Sequence, residues 1–188
     1  GQADNLYNEL VQEILLNGTW DKGMKVRTKW KDGTPAYSKS VIGRSLRFDN
    51  SELPILTGKE VKWVASIIEC YKWIWRDKSN VVEDLRQMGS NIWNEWEQPD
   101  GTIGKAYGYQ LGKRNQRTPY TDDIMDLYKS GFISGFHTEM EGDEHWAFLD
   151  QVYYLLYQLK TNPASRRHIT MLWNPDEIHE MSLTPCVY

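Results

Sequence analysis

WNPDEIHEMSLTPCVY, residues Trp173 to Tyr188, contains one cysteine, Cys186, directly after a proline. Shortly before this stretch, two adjacent arginines, Arg166 and Arg167, open an apolar run. A thiolate rather than a thiol attacks carbon, and nearby positive charge favours the ionised form. Guanidinium groups also bind phosphate through paired hydrogen bonds. The pattern predicts a nucleophilic Cys186 beside an anion site, the alternative being a cysteine that serves as a small buried apolar residue.

Length and composition narrow the class of protein. A chain of 188 residues with 40% hydrophobic residues and nine tryptophans predicts one domain with a substantial core. No run of about 18 apolar residues is present, which argues against a membrane span. The net charge of −4 argues against broad DNA or RNA binding. Local arginines could still hold a small anionic substrate.

Cysteine and histidine usage gives little sign of a disulfide framework or a metal site. Cys70 and Cys186 could form only one bridge, and the first residues, Gly1 to Asp4, contain no secretion signal. Reduced thiols in a cytoplasm are therefore expected. Four scattered histidines without a Cys-x-x-Cys pair predict no metal centre.

The residues around Cys186 occur in the order and spacing that thymidylate synthases have. The matching segments are Ser165-Arg166-Arg167, Trp173-Asn174 and Pro185-Cys186 and, earlier in the chain, Arg27-Thr28, Leu46-Arg47-Phe48, Pro54-Ile55-Leu56-Thr57, Ile92-Trp93-Asn94-Glu95-Trp96, Asp100-Gly101, Tyr107-Gly108 and Asp150-Gln151-Val152. The resemblance covers most of the chain. It implies an α/β (α+β) fold, a mixed sheet covered by helices, in a single domain over residues 1–188 that lacks the family's C-terminal strands.

The same resemblance assigns roles to polar residues. It implies that Cys186 adds to C6 of the pyrimidine of dUMP and that Glu69 relays protons through water. Arg27 would clamp the substrate phosphate. Arg166 and Arg167 would reach across a homodimer interface to the phosphate bound by the other subunit. For Arg27, the alternative is an ordinary solvated loop cation.

Aromatic residues near glycines admit two interpretations. One is core packing. The other is a cleft for a planar heterocycle, and here the resemblance implies that Trp93 and Trp96 contact the folate and that Tyr107 contacts the substrate. The cofactor implied is 5,10-methylenetetrahydrofolate, which would donate both carbon and hydride. The presence of Trp93 favours transfer of a methyl group over release of a hydroxymethyl product.

The spacing around Glu69 departs from the family. Apolar neighbours predict that desolvation raises the pKa of its carboxyl group, and the alternative is a surface glutamate. The family has a tryptophan three residues after this glutamate, whereas Trp73 follows Glu69 by four. One extra residue rotates the following side chains by about 100°. Either the helix absorbs the extra residue as a local bulge, or the carboxylate is displaced.

Hydrophobic periodicity predicts the local structure. Helices are expected at 6–15, 60–76, 80–88, 122–129 and 149–159, strands at 41–48 and 168–173, and loops at 19–38 and 131–142. Residues 115–147 are interpreted as an insertion on the surface. Its cluster of His137, Glu139, Glu141, Asp143, Glu144 and His145 could suggest a metal site, but a solvated charge run is the stronger interpretation.

Together these observations predict reductive methylation of dUMP to dTMP, with dihydrofolate as the second product. Because family members continue well beyond the cysteine, the 188-residue chain by itself is expected to be inactive or nearly so unless a second polypeptide completes it. The alternatives are a pyrimidine nucleotide hydroxymethylase of the same fold and a non-catalytic fragment that binds nucleotide or RNA.

Overall fold

A computed structural model of the chain describes residues 1–49 and 51–186. Contacts within the chain divide it into two compact units, residues 1–63 and 64–188. The interpretation of residues 1–188 as a single domain stays a prediction beside this division.

The first unit contains one long helix and a short hairpin-like pairing. Helix α1 covers Gln2–Asn17, and strand β1 (Thr19–Trp20) pairs antiparallel with β2 (Lys39–Ser40). The helix predicted at 6–15 is therefore confirmed. The Asp4 carboxylate of α1 accepts hydrogen bonds from the backbone N–H groups of Thr57 (2.7 Å) and Gly58 (3.1 Å), which ties the two ends of this unit together.

From Trp63 onward the chain is mainly helical, with one further sheet. Its elements are α2 (Trp63–Ile67), a π-helix (Ile68–Arg76), α3 (Val82–Gln87), a 3₁₀-helix (Asn94–Trp96), α4 (Gly108–Gly112), β3 (Gln116–Pro119), α5 (Asp122–Lys129), β4 (His137–Glu141), β5 (Glu144–Leu149), α6 (Gln151–Thr161) and a 3₁₀-helix (Ile178–Glu180). The helical character predicted for 60–76, 80–88, 122–129 and 149–159 is confirmed.

Buried apolar residues of the second unit form two clusters. The tryptophan cluster consists of Trp73, Ile74, Val82, Leu85, Trp93, Ile103, Ala106, Tyr107, Leu111 and Met181. The sheet cluster consists of Ile124, Leu127, Ile133, Ala147, Leu149, Tyr153 and Tyr157. Val152 of α6 packs against both clusters and so connects them.

The sheet cluster lies largely within the segment interpreted as an insertion. Strand β5 is central, and β3 and β4 pair with it antiparallel on either side. The loop predicted at 131–142 is wrong for its second half, because residues 137–141 pair with β5. All five residues of β4 are exposed, so this strand lacks the apolar alternation that reveals a half-buried strand in sequence.

The two strands predicted elsewhere are not observed. Residues 41–48 form no strand in the structure, and Ile42, whose alternation suggested one, is 94% exposed. Residues 168–173 also form no strand. There the side chain of Gln151 takes the place of a neighbouring strand: its amide donates to Met171 O (2.9 Å) and accepts from Met171 N (2.7 Å).

The charged cluster at 137–145 falls on the exposed β4–β5 hairpin. Residues 1–49 and 51–186 contain no group of three or more His, Cys, Asp or Glu side chains arranged to hold a metal ion. No helix among the same residues is long and apolar enough to span a membrane.

Candidate active site

The π-helix takes up the extra residue that follows Glu69. Its wide turn is visible where the N–H of Asp77 donates to the C=O of Lys72, five residues earlier, at 2.9 Å. A π-helix is rare and is often found at functional sites. Within this helix Trp73 is fully buried, and Glu69 is half-buried. The first of the two alternatives, absorption of the extra residue within the helix, is therefore the one observed.

Glu69 is held by a tryptophan. The indole N–H of Trp93 donates to Glu69 Oε1 at 2.6 Å, a short and well-directed bond. Trp93 is only 6% exposed and belongs to the tryptophan cluster, so the donor has little freedom to move. A buried indole N–H normally requires such a partner. The bond therefore fixes the direction in which the carboxylate points.

Tyr107 connects this pair to the cysteine. The rings of Trp93 and Tyr107 meet edge to face, with centroids 5.6 Å apart. The Tyr107 hydroxyl accepts a hydrogen bond from the backbone N–H of Cys186 at 3.1 Å. Glu69, Trp93, Tyr107 and Cys186 thus form one continuous series of contacts, although 117 positions (186 − 69) separate its ends in sequence.

The electrostatic environment of Tyr107 reflects both neighbours. Burial raises the pKa of its hydroxyl, and the Cys186 thiol and the Glu69 charge raise the pKa further. Donation from the backbone N–H of Cys186 acts in the opposite direction but is outweighed. Tyr107 therefore remains a neutral phenol that can both accept and donate a hydrogen bond at neutral pH.

The segment that ends in Cys186 is anchored to the tryptophan cluster. The N–H of Ser182 donates to Ile103 O at 3.1 Å, and the N–H of Lys105 donates to Glu180 O at 3.2 Å. Gly104 makes this approach possible, because a Cβ at that position would lie 1.9 Å from Glu180 O. Cys186 itself is exposed and unpaired. The nucleophilic role of Cys186 stays a prediction.

The turn before this segment is held by a residue that sequence analysis missed. The Glu177 carboxylate accepts from Asn174 Nδ2 (2.7 Å) and Gln110 Nε2 (2.9 Å) and pairs with Lys113 and Lys105. The hydrogen bond from Lys113, followed by that from Gln110, lowers the pKa of Glu177 to about 2. Lys113, Gln110 and Lys105 lie 64 to 72 positions from Glu177, beyond the reach of local patterns.

The two arginines before the turn are exposed. Arg167 lines a cleft of about 340 Å³, together with Lys113, Gln110 and Asn174 among others. Neither guanidinium forms an ion pair with the residues that the structure describes. Lys113 pairs with Glu177, so Arg167 is the lining cation that keeps its guanidinium available for an anion such as a phosphate. The predicted contact of Arg166 and Arg167 with a phosphate across a homodimer interface stays a prediction.

Two further predicted residues, Trp96 and Arg27, take no part in the series of contacts from Glu69 to Cys186. Trp96 is half-buried at the edge of the tryptophan cluster, one turn after Trp93. Its partly open aromatic surface fits the stacking role that was predicted for it. Arg27 is an exposed loop residue of the first unit. Contact of either residue with a ligand stays a prediction.

The sequence was also compared with known protein families. The family model for thymidylate synthase matches residues 5–188. The chain belongs to the thymidylate synthase family. Glu69, Trp93, Tyr107 and Cys186 therefore lie together inside the part of the chain that carries the family's sequence pattern.

Individual relatives agree with the family assignment. Thymidylate synthase 1 of Bacillus subtilis strain 168 is 51% identical over all 188 residues, and thymidylate synthase of Bacillus phage phi3T is 50% identical over the same length. In both cases the chain spans 58% of the relative's length.

A solved structure confirms the fold class. The thermostable thymidylate synthase A of Bacillus subtilis matches with a TM-score of 0.79 and 50% identity, over 98% of this chain and 57% of that one. The predicted thymidylate synthase-like α/β class is therefore confirmed. The sheets in the described residues are antiparallel.

Proposed function

We propose that this chain supplies the nucleophile and the proton relay of a thymidylate synthase, which converts dUMP to dTMP. The single observation that carries the proposal is the series of contacts from Glu69 through Trp93 and Tyr107 to Cys186. An exposed thiol, an oriented carboxylate and a neutral phenol are the groups needed for addition to a ring carbon with proton transfer.

The Cys186 thiolate forms a bond to C6 of uracil, and the electron pair of the C5–C6 double bond moves towards C5 and O4. C5 thereby becomes a nucleophile. The hydrogen bond from Trp93 holds the Glu69 carboxylate in a fixed direction, from which it passes protons to and from the ring through water. The Tyr107 hydroxyl, anchored at the Cys186 backbone, lies where it can exchange a proton with groups near the sulfur.

When bound, 5,10-methylenetetrahydrofolate supplies the carbon and the hydride, which no side chain of the protein can provide. Trp96 and Trp93 would hold it, and the partly open surface of Trp96 supports this fit. Arg27, Arg166 and Arg167 bind the phosphate of dUMP. The protein would act as a homodimer in the cytoplasm, as the family resemblance implies.

The test is a chimera in which this chain replaces the aligned part of the Bacillus subtilis enzyme. We expect it to release tritium from dUMP labelled at C5 and to form dTMP. Cys186→Ser should reduce the rate on the order of 10³-fold or more, because the covalent step is lost. Cys70→Ser, at the second exposed cysteine, is the matched control and should retain activity.

Analysis of the product separates the related alternative. A 5-hydroxymethyl nucleotide in place of dTMP would assign the chain to a hydroxymethylase. A chimera that folds but releases no tritium, or that is equally active with Cys186→Ser, would disprove the proposed function.

A further inference from the structure

Lys78 occupies a position that does not suit a lysine by backbone conformation alone. It follows the π-helix with φ 52°, in the left-handed region that most residues with a side chain avoid. Its side chain is only 12% exposed, and its Nζ lies 3.0 Å from Oδ2 of Asp150, which is 3% exposed. The same ammonium group lies 3.5 Å from the centre of the Tyr153 ring. The ammonium group is thus paired through its charge with Asp150 and with the ring, and not through a hydrogen bond among the described residues.

The backbone at this bend packs closely against α4. A Cβ added at Gly108 would lie 2.1 Å from Ser79 O and 2.7 Å from the carbonyl carbon of Lys78. At the other end of α4, a Cβ at Gly112 would lie 3.3 Å from Lys78 Cβ. The backbone of Lys78 and Ser79 therefore determines where the first turn of α4 can lie.

Tyr107 immediately precedes that first turn and is itself strained. Its φ of 42° and ψ of −102° fall outside the regions that ordinary residues occupy. Such a conformation persists only where the surroundings impose it. On the Gly108 side, the backbone that lies against this position is the bend at Lys78 and Ser79. Ser79 is fixed in turn, because its N–H donates to Trp73 O at 3.0 Å.

We propose that Lys78 and Asp150 are a positioning pair for the active site. Their ion pair holds the bend against Gly108 and so keeps Tyr107 in the strained conformation that brings its hydroxyl to the backbone N–H of Cys186. The relevance of this pair to catalysis rests on the proposed function. The structural connection from Lys78 through Tyr107 to Cys186 does not depend on the proposed function.

Two substitutions in the 188-residue chain test the link. Lys78→Met removes the charge and keeps a long side chain. Asp150→Asn also removes a charge, yet asparagine retains an acceptor for the N–H of Tyr153, which Asp150 caps at 2.9 Å. Loss of the helix cap is thereby separated from loss of the ion pair.

Two controls match these variants. Lys160→Met removes another lysine of the α6 region, whose pairs with Asp123 and Asp126 are longer, at 3.7 Å, and exposed. Leu127→Ala lowers stability from within the sheet cluster, to which neither Lys78 nor Tyr107 belongs.

The first readout is the pKa of the Tyr107 hydroxyl, measured by NMR on ring-labelled tyrosine and assigned with Tyr107→Phe. The second is the rate at which iodoacetamide alkylates Cys186, measured by mass spectrometry with Cys70 as internal reference. In Lys78→Met and Asp150→Asn, the pKa of Tyr107 should fall towards its ordinary value, because its burial is relaxed. Cys186 should react about two- to tenfold faster, the size expected when one hydrogen bond that restrains it is lost.

Lys160→Met should leave both readouts unchanged, and Leu127→Ala should lower the melting temperature without altering them. The proposal is overturned if both pair variants behave like the wild type, or if Leu127→Ala changes the readouts as much as they do. Neither readout uses dUMP. A chimera without turnover would therefore disprove the proposed function and leave the positioning pair standing. Pair variants that behave like the wild type would disprove the positioning pair and leave the proposed function standing.

Discussion

The two hydrophobic clusters of the second unit are built differently. The tryptophan cluster is surrounded by polar groups with specific partners, among them Glu69 and the backbone of Cys186, and it contains the strained residue Tyr107. The sheet cluster consists of aliphatic and tyrosine side chains behind an antiparallel sheet. One cluster therefore carries the chemistry, and the other supports α6, whose N-cap residue is Asp150.

This difference indicates how a site can tolerate strain. Residues in unfavourable backbone conformations cost roughly 1–3 kcal/mol each and need neighbours that hold them. Tyr107 and Lys78 both have positive φ, and both contact or adjoin α4. Among the described residues, no member of the sheet cluster has a positive φ. Apart from Tyr153, whose ring contacts Lys78, residues of the second cluster should therefore affect stability alone when substituted, whereas substitutions in the first cluster should also affect chemistry.

The largest effect within this comparison is expected for Glu69→Gln in the chimera. The amide cannot relay protons, so kcat should fall about 10²- to 10⁴-fold, the usual contribution of general acid–base catalysis. The rate of tritium release measures the change. Glu95→Gln, at an exposed glutamate two residues after Trp93, is the matched control and should keep near-normal activity. Equal losses in both variants would remove Glu69 from the proton relay.

A pair of leucine truncations tests the separation of the clusters. Leu85→Ala in the tryptophan cluster and Leu127→Ala in the sheet cluster each delete a buried side chain, and each should lower the free energy of unfolding by about 2–5 kcal/mol. Urea denaturation measures this loss. At a temperature where both variants are folded, only Leu85→Ala should also accelerate alkylation of Cys186. The same acceleration in Leu127→Ala would mean that the clusters behave as one.

A smaller effect, on the pH dependence of the melting temperature, is expected at Glu177, which anchors the turn before Cys186. The folded-state pKa of Glu177, about 2, is below the usual value for a glutamate, so the unfolded state binds its proton first. The stabilisation from Glu177 is therefore present above its unfolded pKa, near 4.3, and is lost as pH falls towards about 2. Glu177→Gln should flatten the decline in melting temperature across this window.

Glu144→Gln on the exposed hairpin of the sheet cluster serves as its control. It should follow the wild-type curve, because Glu144 forms no ion pair with any residue in 1–49 or 51–186. A wild-type melting temperature that stays level between pH 5 and 2, or a Glu177→Gln curve with the same slope as the wild type, would contradict the role given to Glu177.

Sequence patterns predicted the helices well and the strands poorly. The helices follow from apolar residues at a spacing near 3.6, which depends only on local order. The strands failed for a different reason, since a strand exists only when a partner is supplied. Residues 168–173 were predicted as a strand, but the side chain of Gln151 occupies their hydrogen-bonding edge. Residues 137–141 lacked the alternation, yet β5 pairs with them.

The sequence by itself determined the family, the helical segments and the identities of Cys186, Glu69, Trp93 and Tyr107 as residues of interest, because these depend on short motifs and their order. Only the tertiary structure decided that the extra residue after Glu69 is absorbed in a π-helix, that Lys78 pairs with Asp150, and that Glu177 is held by four partners. The ion pair of Lys78 with Asp150 and most contacts of Glu177 join positions tens of residues apart. In a packed interior such contacts are selected by shape and charge together, which no local pattern encodes.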